Sequence, residues 1–306
     1  MSWGRPDKSV VCKEQPVTPG SPRRVATCWT TAGATVPGDV AATSPEDIRA
    51  RVEAAAAAGF DGIGINVPDL AIARDSHGDA AIRALLDDHG IGYLELDALG
   101  GWASTGEERV VSDARRRILL DAAGKLGADL IKVIPPIGPV ADVGPLVSEF
   151  ATLAGQAADV GARIGIEPIS VCKVATPAQA LDLVRGAGHP AAGVILDNWQ
   201  ISRAGLGVDV VRGFPPEWIA SVELSDGTAE PGADFFADCF EHRRLPGSGE
   251  LDVAGFVDAL RRSGYDKVWG VEVLDAEYRR LPVGRATELA YEALVAATTG
   301  RPRLDE

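Results

Sequence analysis

Residues 163–200 read RIGIEPISVCKVATPAQALDLVRGAGHPAAGVILDNWQ. An apolar run, a helical stretch and a second apolar run follow one another. The runs RIGIEPI and GVILDN are continuously apolar rather than alternating, which suits strands covered on both faces. Between them TPAQALDLVRGAG carries a threonine able to cap a helix start and glycines able to end it. The stretch therefore reads as one β-α-β unit. Each of its strands ends in a carboxylate, Glu167 and Asp197.

The unit recurs in both directions. RRVATCWTT, GIGINV, GYLELDAL and LIKVIP precede it; ASVELSD and VWGVEVL follow. The helical partners are SPEDIRARVEAAAAAG, SDARRRILLDAAGKLG, VGPLVSEFATLAGQAADVG, DVAGFVDALRRSG and GRATELAYEALVAATTG. In the first of these Ser44 can cap, Glu46 and Asp47 favour the positive helix start, and Gly59 ends it. A weaker helix is expected over about 77–89, and a short one near 200–213 broken by Gly205 and Gly207. Eight β-then-α units in 306 residues predict an α/β protein, a single-domain (β/α)8 TIM barrel, which typically takes about 250 residues. The expected boundaries are an N-terminal arm over 1–22, the barrel over 23–300 and a tail over 301–306. No G-x-G-x-x-G follows the first strand, and Gly62 and Gly64 lie inside the second, so dinucleotide binding is not indicated.

Hydrophobic residues make up 46% of the chain, enough for a sizeable core, and the net charge is −14 with a pI near 4.8. A surface that tracks phosphates needs clustered Lys and Arg, so neither nucleic acid nor a membrane is an expected partner. Cys12, Cys28, Cys172 and Cys239 form no C-x-x-C pair and read as reduced thiols. The polar start MSWGRPDKSV lacks a signal-peptide core, and no apolar run nears the roughly 18 residues of a membrane span. A cytoplasmic protein is expected.

Four strand-like runs of the second half end in Glu167, Asp197, Glu223 and Glu272. A buried carboxylate is costly unless paired. In a closed barrel these four converge on the face where barrel enzymes work. Four converging carboxylates cannot all stay ionised without a cation, so one divalent metal ion is expected. Oxygen-only donors suit Mn²⁺ or Mg²⁺, whereas zinc prefers more His or Cys. Between Asp226 and Leu251 the segment GTAEPGADFFADCFEHRRLPGSGE is long for a compact domain and follows the seventh strand. It carries His242, Arg243 and Arg244 ahead of the stiff turn Pro246-Gly247-Ser248-Gly249.

The motifs GIEPIS, GVILDNWQISRAG, VELSDG and RRLPGSGELDVAGFVDALRRSGYDKVWGVEVL resemble those of the sugar phosphate isomerase/epimerase family, within the xylose isomerase-like TIM barrel superfamily. The last is the most specific: R-x-x-P-G-x-G, an amphipathic helix, G-Y-D, then W-G-V-E-V. The resemblance covers most of the chain after the arm. It implies that Glu167, Asp197, Glu223 and Glu272 bind one divalent ion. It also implies that Glu167 and Glu272 remove and return protons next to a substrate carbonyl, through a metal-stabilised enediolate. The substrate class implied is a small sugar or keto-polyol. Arg243 is the expected contact to a substrate oxygen, with Arg203, Gln200, Trp199 and His242 as further substrate-binding candidates. Glu95 and Asp97, on the third strand, are expected to contact substrate or the metal ligands. The chain departs from the family in three places. Glu223 stands where His or Gln is common, Gln200 where many members have the His of D-x-x-H, and Lys173 where some epimerases have a carboxylate. A lyase acting through the same enolate, either a keto-inositol or dehydroshikimate-type dehydratase or a 3-keto C-glycoside-cleaving enzyme, shares these motifs. So does a barrel that binds a sugar without turnover. DNA-repair relatives use three metals and many His ligands; His77, His89, His189 and His242 are the only histidines here. A homo-oligomer or a partner subunit stays open.

Overall fold

A computed structural model describes residues 22–37 and 43–300. The expected arm, with Cys12, and the tail 301–306 lie outside the described residues, apart from Pro22. The chain forms a closed barrel of eight parallel strands: β1 (Arg23–Ala26), β2 (Gly62–Asn66), β3 (Tyr93–Leu99), β4 (Leu130–Val133), β5 (Arg163–Ile166), β6 (Ala192–Asp197), β7 (Ile219–Leu224) and β9 (Val268–Val271). Pairing of β1 with β9 closes it. β8 (His242–Arg243) and β10 (Leu274–Asp275) form a separate antiparallel pair. The helices are α1 (Ile48–Ala58), α2 (Val67–His77), α3 (Asp79–Asp88), α4 (Gly106–Leu126), α5 (Gly144–Asp159), α6 (Pro177–Ala187), α7 (Asn198–Arg203), α8 (Phe235–Glu241), α9 (Val253–Arg262) and α10 (Val283–Thr299). None is long and apolar enough to cross a membrane among the described residues.

All eight expected strand runs become barrel strands. The reason is burial from both sides: β2, β4, β6 and β7 are buried at every position. One large apolar cluster joins strands to helices, while Val25, Tyr93, Leu130, Ile195 and Ala220 form a smaller one made of strand residues alone. Side chains alternate along a strand with period two. The face that carries Tyr93, Leu130 and Ile195 therefore carries Glu95 and Asp97, Lys132, and Asp197 further along. Apolar residues close one end of the barrel, and charged residues gather at the C-terminal end.

Local details differ from expectation in three places. The α1 cap is Asp47, whose Oδ1 accepts from Arg49 N at 2.8 Å, while Ser44 Oγ is engaged with Glu46. Gly59 ends the helix with φ 107°, as the sequence indicated. Helix α2 precedes the expected 77–89 helix. It is easily overlooked because its cap, Asn66, is also the last residue of β2 and its first turn holds Pro68. The 200–213 region splits into α7 and a 3₁₀ turn at Val208–Val211. Cys28, Cys172 and Cys239 are free and buried.

Gly64 in β2 is required by a close approach. A Cβ there would lie 2.5 Å from Cys28 N and 3.0 Å from Thr27 C. Both neighbours are backbone and cannot rotate away. Gly64→Ala should cost about 1–3 kcal/mol as an overpacked core site and lower the thermal midpoint by several degrees. Calorimetry checks this, and an unchanged midpoint would show that β1 and β2 can separate without penalty.

Candidate metal centre

Glu167 and Glu272 each stand one residue past a strand end and continue the ladder. Glu167 N donates to Val133 O at 3.1 Å and Glu272 N to Leu224 O at 3.0 Å. Asp197 closes β6, and Glu223 lies next to last in β7. One carboxylate oxygen from each of the four lies within 4.8 Å of the others, and all four residues are buried. The sequence-derived quartet therefore meets in space.

The cluster also contains cations from the chain itself. Lys132, on β4, places Nζ 2.6 Å from Glu223 Oε1 and 3.1 Å from Glu272 Oε1. The same atom is 3.4 Å from Asp97 Oδ2 and 3.5 Å from Glu167 Oε2. Arg243, on β8, sets Nη2 2.5 Å from Asp197 Oδ2 and Nη1 2.7 Å from Glu272 Oε2. Part of the counter-charge that the quartet was expected to take from a metal is thus supplied by the chain itself. With Glu95 and Asp97 the pocket holds six buried carboxylates against two side-chain cations, which leaves four negative charges if all are ionised.

Electrostatics divides these groups. Burial pushes Glu167 up to about 8 even with Lys132 beside it. Burial likewise lifts Glu95 to about 7 against the pull of Lys132. Glu223 is driven well above the usual carboxylate range by burial and by Glu272. Glu272 goes the other way: burial opposes its charge, but Lys132 and Arg243 outweigh it and hold the group low. Without further positive charge, the cluster keeps protons near neutral pH.

The donors fit a divalent ion. Both oxygens of Glu223, a fully buried residue, lack a hydrogen-bond partner among the described residues, although Lys132 makes a charge contact to one. Glu95 Oε2 and Gln200 Oε1 are orphaned in the same way. Unpaired buried oxygens are costly. An oxygen-only set of this kind matches a hard cation.

The other expected residues are distributed as follows. Gln200 is buried in α7, and its backbone N donates to Asp197 Oδ1 at 3.2 Å. Trp199 is fully buried against two guanidinium groups, Arg203 at 4.5 Å and Arg243 at 5.1 Å from its ring centroid. Arg203 pairs with Asp238 of α8 at 2.8 Å and donates to Thr228 O at 2.9 Å, away from the quartet. His242 is exposed, opposite Asp275 on β10. Lys173 is half-buried in a loop, where its backbone N donates to Pro136 O at 2.9 Å.

The segment 227–250, expected as a long loop, contains α8 and β8. Asp226 anchors it: Oδ2 accepts from Gly247 N at 2.9 Å, and Oδ1 from Leu251 N at 3.0 Å and Gly227 N at 2.8 Å. A Cβ on Gly249 would sit 2.4 Å from Asp226 Oδ1, which explains the glycine of the P-G-x-G turn. This turn carries the strand that delivers Arg243 to the carboxylates. Sequence reasoning missed Lys132. Its signal was a lone charge inside the apolar run LIKVIP.

The family model described as xylose isomerase-like TIM barrel matches residues 52–295. A 3-dehydroshikimate dehydratase of Pseudomonas putida is 30% identical over 236 residues, covering 76% of this chain and 37% of that protein. The chain thus spans little more than a third of that relative. An inosose isomerase of Bacillus velezensis is 24% identical over 252 residues, covering 79% of this chain and 88% of that protein. Among solved structures, an IOLI protein with a zinc atom bound superposes with a TM-score of 0.79 at 19% identity, covering 93% of this chain and all of that one.

A divalent ion needs deprotonated ligand carboxylates, whereas in its absence Glu167 holds its proton up to about 8 and Glu223 is driven well above the usual carboxylate range. Binding must therefore expel protons, and affinity should rise as pH increases from about 6 to about 8. Titration calorimetry in buffers of different ionisation heats tests this. An affinity flat across that range, with no proton release, would contradict the assignment.

Proposed function

The chain belongs to the xylose isomerase-like TIM barrel family, and from that premise we propose a divalent-metal-dependent isomerase or epimerase acting on a sugar or keto-polyol. The reaction class is removal and return of a proton next to a carbonyl. The observation that carries the reading is the meeting of Glu167, Asp197, Glu223 and Glu272 within 4.8 Å, with Glu223 Oε2 left without a hydrogen-bond partner among the described residues. Its likeness to an inosose isomerase over most of that enzyme's length supports a cyclic keto-polyol as substrate.

In this reading the four carboxylates hold the ion, and the donor chemistry favours Mn²⁺ or Mg²⁺. Such an ion, when bound, supplies a Lewis acid beside the substrate carbonyl. Glu167 and Glu272, the two members furthest apart along the barrel wall, carry the proton off and back. Arg243 fixes the charge and orientation of Glu272 and Asp197 through its two-pronged contact. Gln200 offers an amide oxygen and amide protons to a substrate hydroxyl and cannot titrate. Trp199 walls the site, and burial of the whole cluster keeps bulk water from the reacting carbon.

A dehydratase is the second reading, favoured by the match to 3-dehydroshikimate dehydratase. It begins with the same proton removal and differs in expelling a hydroxyl group afterwards.

Incubation with keto-sugars and inososes in D₂O, with Mn²⁺ present and NMR as readout, tests the proposal. Deuterium should enter at the carbon next to the carbonyl. Exchange with a new epimer or carbonyl position supports the isomerase, and exchange with loss of water supports the dehydratase. No exchange on any substrate, with metal bound, would favour a binding barrel. Glu272→Gln keeps a ligand oxygen but removes a base. Exchange should fall about 10²–10⁴-fold while metal is retained with weaker affinity. Turnover close to that of the parent protein would place the proton carrier elsewhere.

A further inference from the structure

Lys132 is buried at 2% exposure on a central barrel strand. Its register partner on β5 is Gly165, which has no side chain to crowd it. A buried ammonium is costly unless well paired, and Lys132 is paired beyond its capacity. An ammonium has three protons to donate, yet four carboxylates lie within 3.5 Å of Nζ. They come from β3, the ends of β5 and β9, and β7. Three of them, Glu167, Glu223 and Glu272, belong to the quartet proposed to hold the ion. The fourth member, Asp197, is held by Arg243.

We propose that Lys132 is a tethered cation that occupies the carboxylate cluster when no divalent ion is bound and competes with the ion for the same oxygens. The proposal rests on the metal reading above. A strand position fixes the Cα of Lys132, while four methylene groups let the ammonium shift within the pocket. The cluster is therefore assembled before metal arrives, because the carboxylates already have a shared partner. Ion affinity is lowered, since a like charge must stay nearby or be displaced.

The test compares the parent protein with Lys132→Met and Lys132→Arg. Manganese affinity is measured by chelator competition, and thermal midpoints are recorded with and without EDTA. Lys132→Met should bind Mn²⁺ about ten-fold tighter or more, since a like charge has gone. Its metal-free form should melt lower than the parent, and added Mn²⁺ should raise its midpoint further. Lys132→Arg keeps the charge and should bind Mn²⁺ no tighter than the parent. If Lys132→Met folds only with metal, it is purified loaded and its affinity read by stripping. Such metal-dependent folding would itself support the role in assembly. Parent-like or weaker affinity in a Lys132→Met protein with the parent circular dichroism spectrum would overturn this proposal alone. A parent protein that binds neither Mn²⁺, Mg²⁺ nor Zn²⁺ would overturn the metal reading and this proposal together.

Discussion

Mutual repulsion of buried carboxylates at the barrel mouth is the constraint on which the rest of this molecule turns. Glu167, Asp197, Glu223 and Glu272 approach within 4.8 Å, and Glu95 and Asp97 lie in the same pocket. Like charges in a low-dielectric interior are tolerated only with opposite charge or protons beside them. The chain supplies both: Lys132 and Arg243 as side-chain cations, and retained protons on Glu167 and Glu95. A divalent ion would complete what these leave undone.

The fold serves that cluster. The backbones of β5, β6, β7 and β9 bring carboxylates from distant parts of the sequence to one end of the barrel, while apolar residues fill the other end. The insert after β7 adds the second cation. Asp226 pins the glycine-rich turn, the turn positions β8, and β8 presents Arg243 to Asp197 and Glu272. Arg203 ties the same insert down through Asp238, and both guanidinium groups pack against the Trp199 ring. The R-x-x-P-G-x-G part of the family motifs thus places one guanidinium beside the carboxylates that the other motifs supply.

Much of this was legible in the sequence, for physical reasons. Strands buried on both faces leave continuous apolar runs, and a carboxylate ending such a run stands out because burial is costly. All eight strands and the quartet were readable on those grounds. Helix α2 was hidden because its cap doubles as the end of a strand. Helix α8 and the β8–β10 pair were hidden because seven-residue and two-residue elements leave no periodicity. Lys132 was overlooked for a deeper reason. A lone lysine in an apolar strand gains meaning only from its partners, and Glu272 lies 140 residues away along the chain. Whether a buried charge is paired is a property of the closed barrel and not of any local stretch.

The most direct test of the central claim is anomalous diffraction at the manganese edge, from crystals grown with Mn²⁺. The account predicts one anomalous peak in contact with carboxylate oxygens of Glu167, Asp197, Glu223 and Glu272, with the Lys132 ammonium moved off Glu223. A quartet still closed around Lys132 and Arg243, with no anomalous peak among its oxygens, would contradict it.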